Sequence, residues 1–399
     1  MFDKKKFHFC CGIEDTFIAD PYPLTGKRLD EYELTEHYQN WKEDIDRVKS
    51  LEVDSLRWGL PWYKIEKERG KFDFSWSDEV IPYIVEEKGI TLLLDFMHYG
   101  TPLWMKDSFF DPDYPSYVEE YTARVVERYK KYLVAAVPFN EPHTACEFAG
   151  RRGEWPPYSH GYEGYLKVFK AVTKGAIKQT KLLRRENIET IQVECSGGSV
   201  TDIESYKEIA LIETTVQSMF YNFLTGDLRG LEYFFPFLEK NGMSENDLDW
   251  FCSNGTEIGI MGVNFYPQFS FNKIVEGEKR ENHLLWTDDM IEILKKRYER
   301  FKVPMMITET SIKNDEVLKS RWLKESTDRL IKEKEEGMNI IGYTYFPIID
   351  MYDWDWRTSN DSEKEHFSAK FGFYTHSREE RKVADEYRNI IKEWRSENE

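Results

Sequence analysis

The sequence predicts one closed α/β barrel in which eight parallel strands alternate with helices. Three observations favour this fold class: eight short apolar runs recur along the chain, amphipathic helical stretches lie between them, and no linker or low-complexity segment divides the 399 residues. Nearly continuous apolar runs are expected of parallel strands that are buried on both faces. Because α/β barrels often exceed the average domain length, residues 1–399 are predicted to form a single (β/α)₈ TIM-barrel domain.

The predicted strands recur from one end of the chain to the other. In chain order they are Phe7–Ile13, Asp54–Gly59, Ile90–Met97, Val134–Phe139, Thr190–Cys195, Gly259–Phe265, Pro304–Thr308 and Asn339–Phe346. Eight strands that each precede a helix describe a closed barrel. An open doubly wound sheet is the alternative, but it would place a glycine-rich turn after the first strand, and none follows Ile13.

The helical stretches between the strands are indicated by the spacing of apolar residues. Side chains recur at intervals of three and four, which gives one apolar face, at Tyr38, Trp41, Ile45, Val48 and Leu51 and again at Val118, Tyr121, Val125 and Tyr129. The stretch from Leu323 to Glu336 ends at Gly337, a residue type that commonly caps helices. A last helix is predicted from about Val383 to Trp394.

Composition and charge limit the classes of partner. The formal net charge of −18 disfavours nucleic acid, which requires a basic surface. Aromatic residues make up 16% of the chain and include 12 Trp, which suits a protein that stacks flat rings on sugars. No run approaches the ~18 apolar residues of a membrane span, and no apolar segment follows the N-terminal lysines. We therefore expect a cytoplasmic protein with no nucleic-acid or membrane partner.

Cysteine usage agrees with that expectation. The five cysteines, an odd number, contain no Cys-x-x-Cys pair: Cys10, Cys11, Cys146, Cys195 and Cys252. They do not resemble a disulfide framework, so we expect buried thiols in a reducing compartment.

Two glutamates stand where reactive residues of such a barrel are found, at the carboxyl ends of strands. Glu141 follows the fourth strand and Glu309 follows the seventh. A carboxylate at the mouth of an apolar strand is costly unless it is paired, solvated or protonated. Two opposed carboxylates can cleave a glycosidic bond, one as a proton donor and the other as a nucleophile, with retention of configuration if they are ~5–5.5 Å apart.

The flanks of these glutamates carry recognisable motifs, Asn140-Glu141-Pro142 and Thr308-Glu309-Thr310. They resemble the Asn-Glu-Pro motif and part of the Thr-Glu-Asn-Gly motif of glycoside hydrolase family 1, the β-glucosidase family. Further similar segments are Trp41–Ile45, Leu56–Gly59, Met97–Tyr99, Gly262–Tyr266 and Gly342–Trp354. The chain resembles a divergent, shortened member of this family, which implies Glu141 as general acid/base and Glu309 as nucleophile.

The resemblance also implies roles for the neighbouring side chains. Asn140 should hydrogen-bond the sugar 2-hydroxyl, and His98 should contact another sugar hydroxyl. Tyr266 and Arg57 should hold Glu309 ionised, Arg57 by keeping its pKa low. Each of three residues could instead have a structural role. Arg57 could form a buried ion pair, His98 could be a core histidine, and Tyr266 could pack at the barrel mouth.

The expected sugar-binding residues depart from the family pattern. Glu14 lies near the place of the family's glycone-binding Gln, Phe346 replaces a Trp, and Asp353 replaces a Glu and is followed by a matching Trp354. These changes suit a hydroxyl-rich or amino sugar, and glucose is not assured. Trp155 is expected either to stack on the leaving group or to pack at the surface.

Competing chemistries find less support. The eight histidines form no His-x-His pattern for a metal-dependent hydrolase. Glu309 and Tyr352–Trp354 stand where a phosphate-binding barrel would have glycine-rich loops. Glu194, at the end of the fifth strand, is a third carboxylate that could compete for a catalytic role.

The sequence thus predicts a retaining β-glycosidase that acts on a small carbohydrate without metal or cofactor. Two alternatives stay open, a non-catalytic sugar-binding relative and a transglycosidase with the same two carboxylates. Oligomerisation is left undecided.

Overall fold

The computed structural model describes residues 2–398 and contains a closed barrel of eight parallel strands. The strands are β1 (His8–Gly12), β2 (Ser55–Gly59), β3 (Thr91–Asp95), β4 (Ala135–Val137), β5 (Glu189–Cys195), β6 (Ile260–Asn264), β7 (Met305–Thr310) and β8 (Ile340–Tyr345). Each strand pairs with its neighbours in sequence, and β1 closes the ring by pairing with both β8 and β2. The predicted fold class is confirmed.

A helix follows each strand, as expected for this architecture, and all but the six-residue second helix are long. These helices are α1 (His37–Ser50), α2 (Ser77–Pro82), α3 (Tyr114–Tyr129), α4 (Gly161–Arg185), α5 (Lys207–Ser218), α6 (Thr287–Phe301), α7 (Glu316–Glu335) and α8 (Lys382–Asn398). The helix predicted from Leu323 begins earlier, because the side chain of Asp315 accepts a hydrogen bond from the Leu318 amide and caps the helix.

Shorter elements fill the loops. The helical ones include Glu31–Leu34, Trp62–Ile65, Tyr83–Glu87, Pro142–Ala145, Cys146–Arg151, Phe220–Thr225, Phe235–Lys240 and Glu245–Asn254. Three small sheets lie outside the barrel. One has three strands, Gly198–Val200, Phe271–Val275 and Lys279–His283. The other two are strand pairs, Phe17–Ile18 with Leu29–Asp30 and Met351–Tyr352 with Ser368–Ala369. The sequence did not predict these small strands, which are short and mostly polar or irregular in pattern.

The core has two layers. A large apolar cluster lies mainly between the barrel and its helices. A smaller one is formed by Phe2 and by alternate positions of seven strands: Cys10, Leu93, Ala135, Val137, Ile191, Val193, Ile260, Met306 and Ile341. Strand β2 contributes no residue to the smaller cluster, because Leu56 and Trp58 belong to the large one. Because successive side chains of a strand lie on opposite faces, Arg57, between Leu56 and Trp58, points into the barrel.

All five cysteines are free thiols, as expected. Cys10, Cys11 and Cys146 are buried. The expectation of burial is wrong for Cys252, which is exposed because its helix turns the neighbouring Phe251 inward, and only partly right for the half-buried Cys195. Among residues 2–398, no helix combines the length and apolar character required to cross a membrane.

Candidate active site

Glu141 and Glu309 line one cavity of about 700 Å³, with 7% and 4% of their surfaces exposed. Glu141 follows β4 in a left-handed conformation, with φ of +42°, and precedes the helix Pro142–Ala145. Such a backbone is unusual for a residue with a side chain and is often found at functional sites. Glu309 lies within β7 and not after it, because the strand extends to Thr310. The register of β7 shifts between Ile307 and Glu309 in its pairing with β6, and between Ile307 and Thr310 in its pairing with β8. Such irregularities redirect side chains.

Glu309 is surrounded by a fixed cation and a phenol. Arg57 Nη1 donates to Oε1 at 2.5 Å, and Tyr266 Oη donates to Oε2 at 2.9 Å. Burial raises the pKa of Glu309 to about 8; Arg57 acts in the opposite direction, and the charge of Glu141 raises the pKa further. The expectation that Arg57 keeps this pKa low is therefore wrong, because burial outweighs the guanidinium.

Glu141 is held by neutral donors. Tyr99 Oη and Thr144 Oγ1 donate to Oε2 at 2.7 and 2.8 Å, and Asn264 Nδ2 donates to Oε1 at 2.8 Å. Sequence reasoning assigned no role to these three residues. Tyr99 and Asn264 nevertheless lie in the motifs Met97–Tyr99 and Gly262–Tyr266, which were the available signal.

Asn140 connects the two carboxylates through the barrel interior. Its Oδ1 accepts hydrogen bonds from Arg57 Nη2 at 2.8 Å and Asn264 Nδ2 at 3.1 Å. Its Nδ2 donates to Tyr99 Oη at 2.9 Å and lies 3.0 Å from His98 Nε2. The amide is thus fully engaged within the protein, and a chain of hydrogen bonds runs from Glu309 through Arg57, Asn140 and Asn264 to Glu141.

His98 is supported from behind by buried carboxylates. Its Nδ1 lies 2.6 Å from Asp15 Oδ1, and its Nε2 lies 3.9 Å from Glu14 Oε1. Ligand atoms of Asp15, Asp95 and His98 all lie within 4.8 Å of one another, the spacing of a metal site. The arrangement does not fit a metal, because Asp95 Oδ2 accepts from Arg57 Nε and Nη2 at 3.1 and 2.5 Å and a cation would meet the guanidinium.

The expected sugar-binding residues occupy the same region, but not all reach the cavity. Glu14, His98, Tyr266, Asp353 and Trp354 line it. Arg57, Asn140 and Phe346 are fully buried, and Phe346 stacks on the His98 ring at 6.2 Å between centroids.

Two acidic side chains at the cavity wall are already engaged. Glu14 Oε1 accepts from both the amide and the hydroxyl of Thr16, and burial raises the pKa of Glu14. Asp353 binds the ammonium of Lys313 through both oxygens, at 2.7 and 2.6 Å. Lys313 lines the cavity and was not anticipated from the sequence, because no motif marks it.

Trp155 and Glu194 lie away from the cavity. Trp155 is 3% exposed and stacks under Phe148 with ring centroids 4.5 Å apart, so Phe148 takes the place at the cavity wall. Glu194 is completely buried and accepts hydrogen bonds from the amides of His143 and Cys195. Its position favours a structural role.

Comparisons with known proteins point to glycoside hydrolases. The glycoside hydrolase 42 family model, described as β-galactosidase, matches residues 32–141. β-Glucosidase A of Thermotoga maritima is 23% identical over 90% of this chain and 86% of its own length. A galactolipid galactosyltransferase of Arabidopsis thaliana is 21% identical over 86% of this chain and 57% of its own length.

Solved structures share the fold of this chain. A family 1 β-glucosidase from Exiguobacterium antarcticum superposes with a TM-score of 0.81 at 17% identity, covering 99% of each chain. This similarity establishes the fold. The chain is thus a glycoside-hydrolase-like TIM barrel, and the comparisons do not separate family 1 from family 42.

Proposed function

We propose that this protein is a retaining β-glycosidase with Glu309 as nucleophile and Glu141 as general acid/base. One observation carries the proposal: two buried carboxylates line one cavity, and each is held by a different kind of donor. Glu309 contacts a guanidinium, which opposes the effect of burial on its pKa and stabilises the ionised carboxylate once the proton has left. Glu141 contacts only neutral groups, which are compatible with both its protonated and its ionised form.

The first step forms a glycosyl-enzyme. A Glu309 oxygen attacks the anomeric carbon while Glu141 donates its proton to the glycosidic oxygen, so that the leaving group departs as an alcohol. Arg57 and Tyr266 hold the attacking carboxylate in place through its two oxygens.

The second step returns the enzyme to its starting state. Glu141, now ionised, takes a proton from water as the water oxygen attacks the anomeric carbon, and Glu309 is released as a carboxylate. Tyr99, Thr144 and Asn264 hydrogen-bond the carboxyl group of Glu141, and these hydrogen bonds are compatible with both its protonated and its ionised form. They therefore support the loss and regain of the proton.

Transfer to a sugar acceptor is a second candidate outcome of the same intermediate. It is favoured by the similarity to a galactosyltransferase, although the chain spans only 57% of that protein. An acceptor hydroxyl would replace water in the second step, and no other residue is required.

We propose family 1 as the closer affiliation, on the motifs around Glu141 and Glu309 and on the near-complete coverage of a family 1 structure. β-Glucosides and β-galactosides are the first substrates to test, because the relatives are named for them. The engagement of Asp353 by Lys313 supports a glycone preference that differs from that of the relatives. We also propose a cytoplasmic location, on the free buried thiols.

The test is a panel of nitrophenyl β-glycosides assayed with the wild type and Glu309→Gln. We expect at least one sugar to be cleaved, with kcat lower in the variant by about a thousandfold or more, because the amide cannot act as the nucleophile. A 2-fluoro sugar should label Glu309, as peptide mass mapping would detect. If no sugar is cleaved faster by the wild type, the non-catalytic alternative is favoured, and labelling of another residue would overturn the nucleophile assignment.

A further inference from the structure

One wall of the cavity carries acidic groups that the proposed mechanism does not use. Glu14 and Asp353 line this wall. Glu31 lies directly behind it, because its Oε2 accepts a hydrogen bond from the amide of Tyr352, the residue before Asp353, at 3.2 Å. The charges of Glu14 and Asp353 both act on Glu31, so the three groups lie close together. We name Glu14, Glu31 and Asp353 the acidic wall.

The cations around the acidic wall are already engaged. Three cations lie in this region, and each has its own acidic partner: Arg57 binds Asp95 and Glu309, Lys313 binds Asp353, and His98 Nδ1 lies 2.6 Å from Asp15 Oδ1. His98 Nε2 is 3.9 Å from Glu14 Oε1, which is beyond hydrogen-bond distance. Within residues 2–398, Glu14 and Glu31 therefore have no cation at hydrogen-bond distance.

Each of these two carboxyl groups also has one oxygen without a donor. Glu14 Oε1 accepts hydrogen bonds from the amide and the hydroxyl of Thr16, whereas Oε2 accepts none from the part of the chain that the structure describes. Glu31 is fully buried, and its Oε1 is without a partner among the same residues. Burial raises the pKa of both groups. A buried carboxylate is costly until a counter-charge and hydrogen-bond donors reach it.

The chemistry of the wall selects the group that a ligand would bring there. A hydroxyl donates one hydrogen bond and carries no charge, whereas an ammonium group donates three and supplies the missing positive charge. A carboxylate or phosphate on the sugar would be repelled by Glu14 and Glu31. An ammonium group thus matches the open oxygen of Glu14 best.

The open carboxyl group lies close to the reacting atoms. Besides burial, which is the main cause, the charges of Glu141 and Glu14 raise the pKa of Glu309. Glu14 therefore lies near enough to the nucleophile to contact the same sugar ring. A cation bound to Glu14 would also offset its charge and so favour the ionised form of Glu309.

We infer that the sugar cleaved by this protein is an amino sugar whose free ammonium group binds Glu14 Oε2, with Glu31 adding negative charge from behind. This inference rests on the proposed function and names the substrate class of the same site. It assigns Glu14 the recognition of a cation, a role that Asp353 does not share because Lys313 neutralises it.

The experiment compares kcat/KM for nitrophenyl β-glucoside and β-galactoside with that for their 2-, 3-, 4- and 6-amino-deoxy analogues. At least one amino analogue should be cleaved about tenfold more efficiently than its parent. Its N-acetyl derivative should lose this preference, because the acetamide carries no charge. If no amino analogue exceeds its parent, or if the N-acetyl derivative is preferred as strongly, the inference is overturned.

Glu14→Gln tests the residue. The variant keeps an acceptor for Thr16 and removes the charge, so the ratio of kcat/KM for the amino sugar to that for its parent should fall about tenfold, or about 1.4 kcal/mol. Glu213→Gln is the matched control, because Glu213 lines the same cavity but is already bound by Arg280. An unchanged ratio in Glu14→Gln, or an equal fall in both variants, would contradict the assignment.

A binding measurement separates this inference from the proposed mechanism. Calorimetry on Glu309→Gln should give a Kd about tenfold lower for one free amino sugar than for glucose or galactose, and adding Glu14→Gln should remove the difference. This binding pattern without cleavage of any glycoside by the wild type would contradict the proposed function alone. Cleavage of the parent glycosides without a preference for an amine would contradict this inference alone.

Discussion

At the scale of single residues, the partners of Glu141 and Glu309 distinguish two otherwise similar carboxylates. Arg57 and Tyr266 fix both oxygens of Glu309, whereas Glu141 receives only neutral donors. Burial nevertheless raises the pKa of Glu309 to about 8, against the effect of Arg57. Glu309 must therefore lose a proton before it can act as the nucleophile.

The raised pKa of Glu309 leads to a pH prediction. For a β-glycoside that the wild type cleaves, kcat/KM should rise as the pH rises toward about 8, because the carboxyl group of Glu309 must lose its proton before it can attack the anomeric carbon. The measurement is a pH profile of kcat/KM. A dinitrophenyl glycoside provides the control, since its leaving group departs without a proton and its profile should show the same rise. A rate that does not change with pH below about 8 would contradict the raised pKa of Glu309.

At the scale of elements, the turn Cys146–Arg151 is held against α4 by a close backbone approach. A Cβ on Gly164 would lie 2.2 Å from Gly150 O and 2.4 Å from Ser159 Oγ. A Cβ on Gly150 would likewise meet the backbone of Gly164 at 2.7 Å. This contact determines where the turn presents Glu147 and Arg151, and so links helix packing to the wall of the cavity.

Gly164→Ala should therefore move the turn away from α4. We expect a loss of stability of about 1–3 kcal/mol, because the methyl group overlaps a backbone oxygen that cannot rotate away. Thermal unfolding measures the loss, and Glu163→Ala, at an exposed position one residue earlier, is the control. A variant with unchanged Tm would show that the backbones of the turn and of α4 can move apart without a loss of stability.

At the scale of the whole molecule, Arg357 connects loops that are distant in sequence. The residue is completely buried in the loop after β8. Its Nη2 donates to Asp20 O in the loop after β1 and to Tyr158 Oη in the loop after β4, both at 2.8 Å, and its Nη1 binds Glu154 O. One side chain thus fixes three loops around the cavity mouth.

Arg357→Met should loosen these three loops together. Each buried carbonyl left without a donor costs about 1–3 kcal/mol, so Tm should fall. The KM for a cleaved β-glycoside should rise, because these loops surround the mouth of the cavity. Thermal unfolding and steady-state kinetics measure the two effects. Arg124→Met is the surface control, because Arg124 is an exposed residue of α3 that pairs with Glu127. Normal Tm and KM would refute the connecting role.

Much of the barrel could be predicted from the sequence, because its elements depend on local patterns. All eight strands were located within a few residues, since buried parallel strands are continuous apolar runs. The three-stranded sheet beside the barrel was missed, because its outermost strand, Lys279–His283, is polar and exposed and depends on its partner for pairing.

The sequence by itself determined the fold class, and it predicted the two carboxylates because a glutamate at the end of an apolar strand is a local signal. Only the tertiary structure decided what surrounds them. Tyr99, Asn264 and Lys313 reach their partners from separate strands and loops, and no spacing in the sequence encodes such contacts. The same holds for the pKa of Glu309, which depends on burial and on charges brought together by the closed barrel.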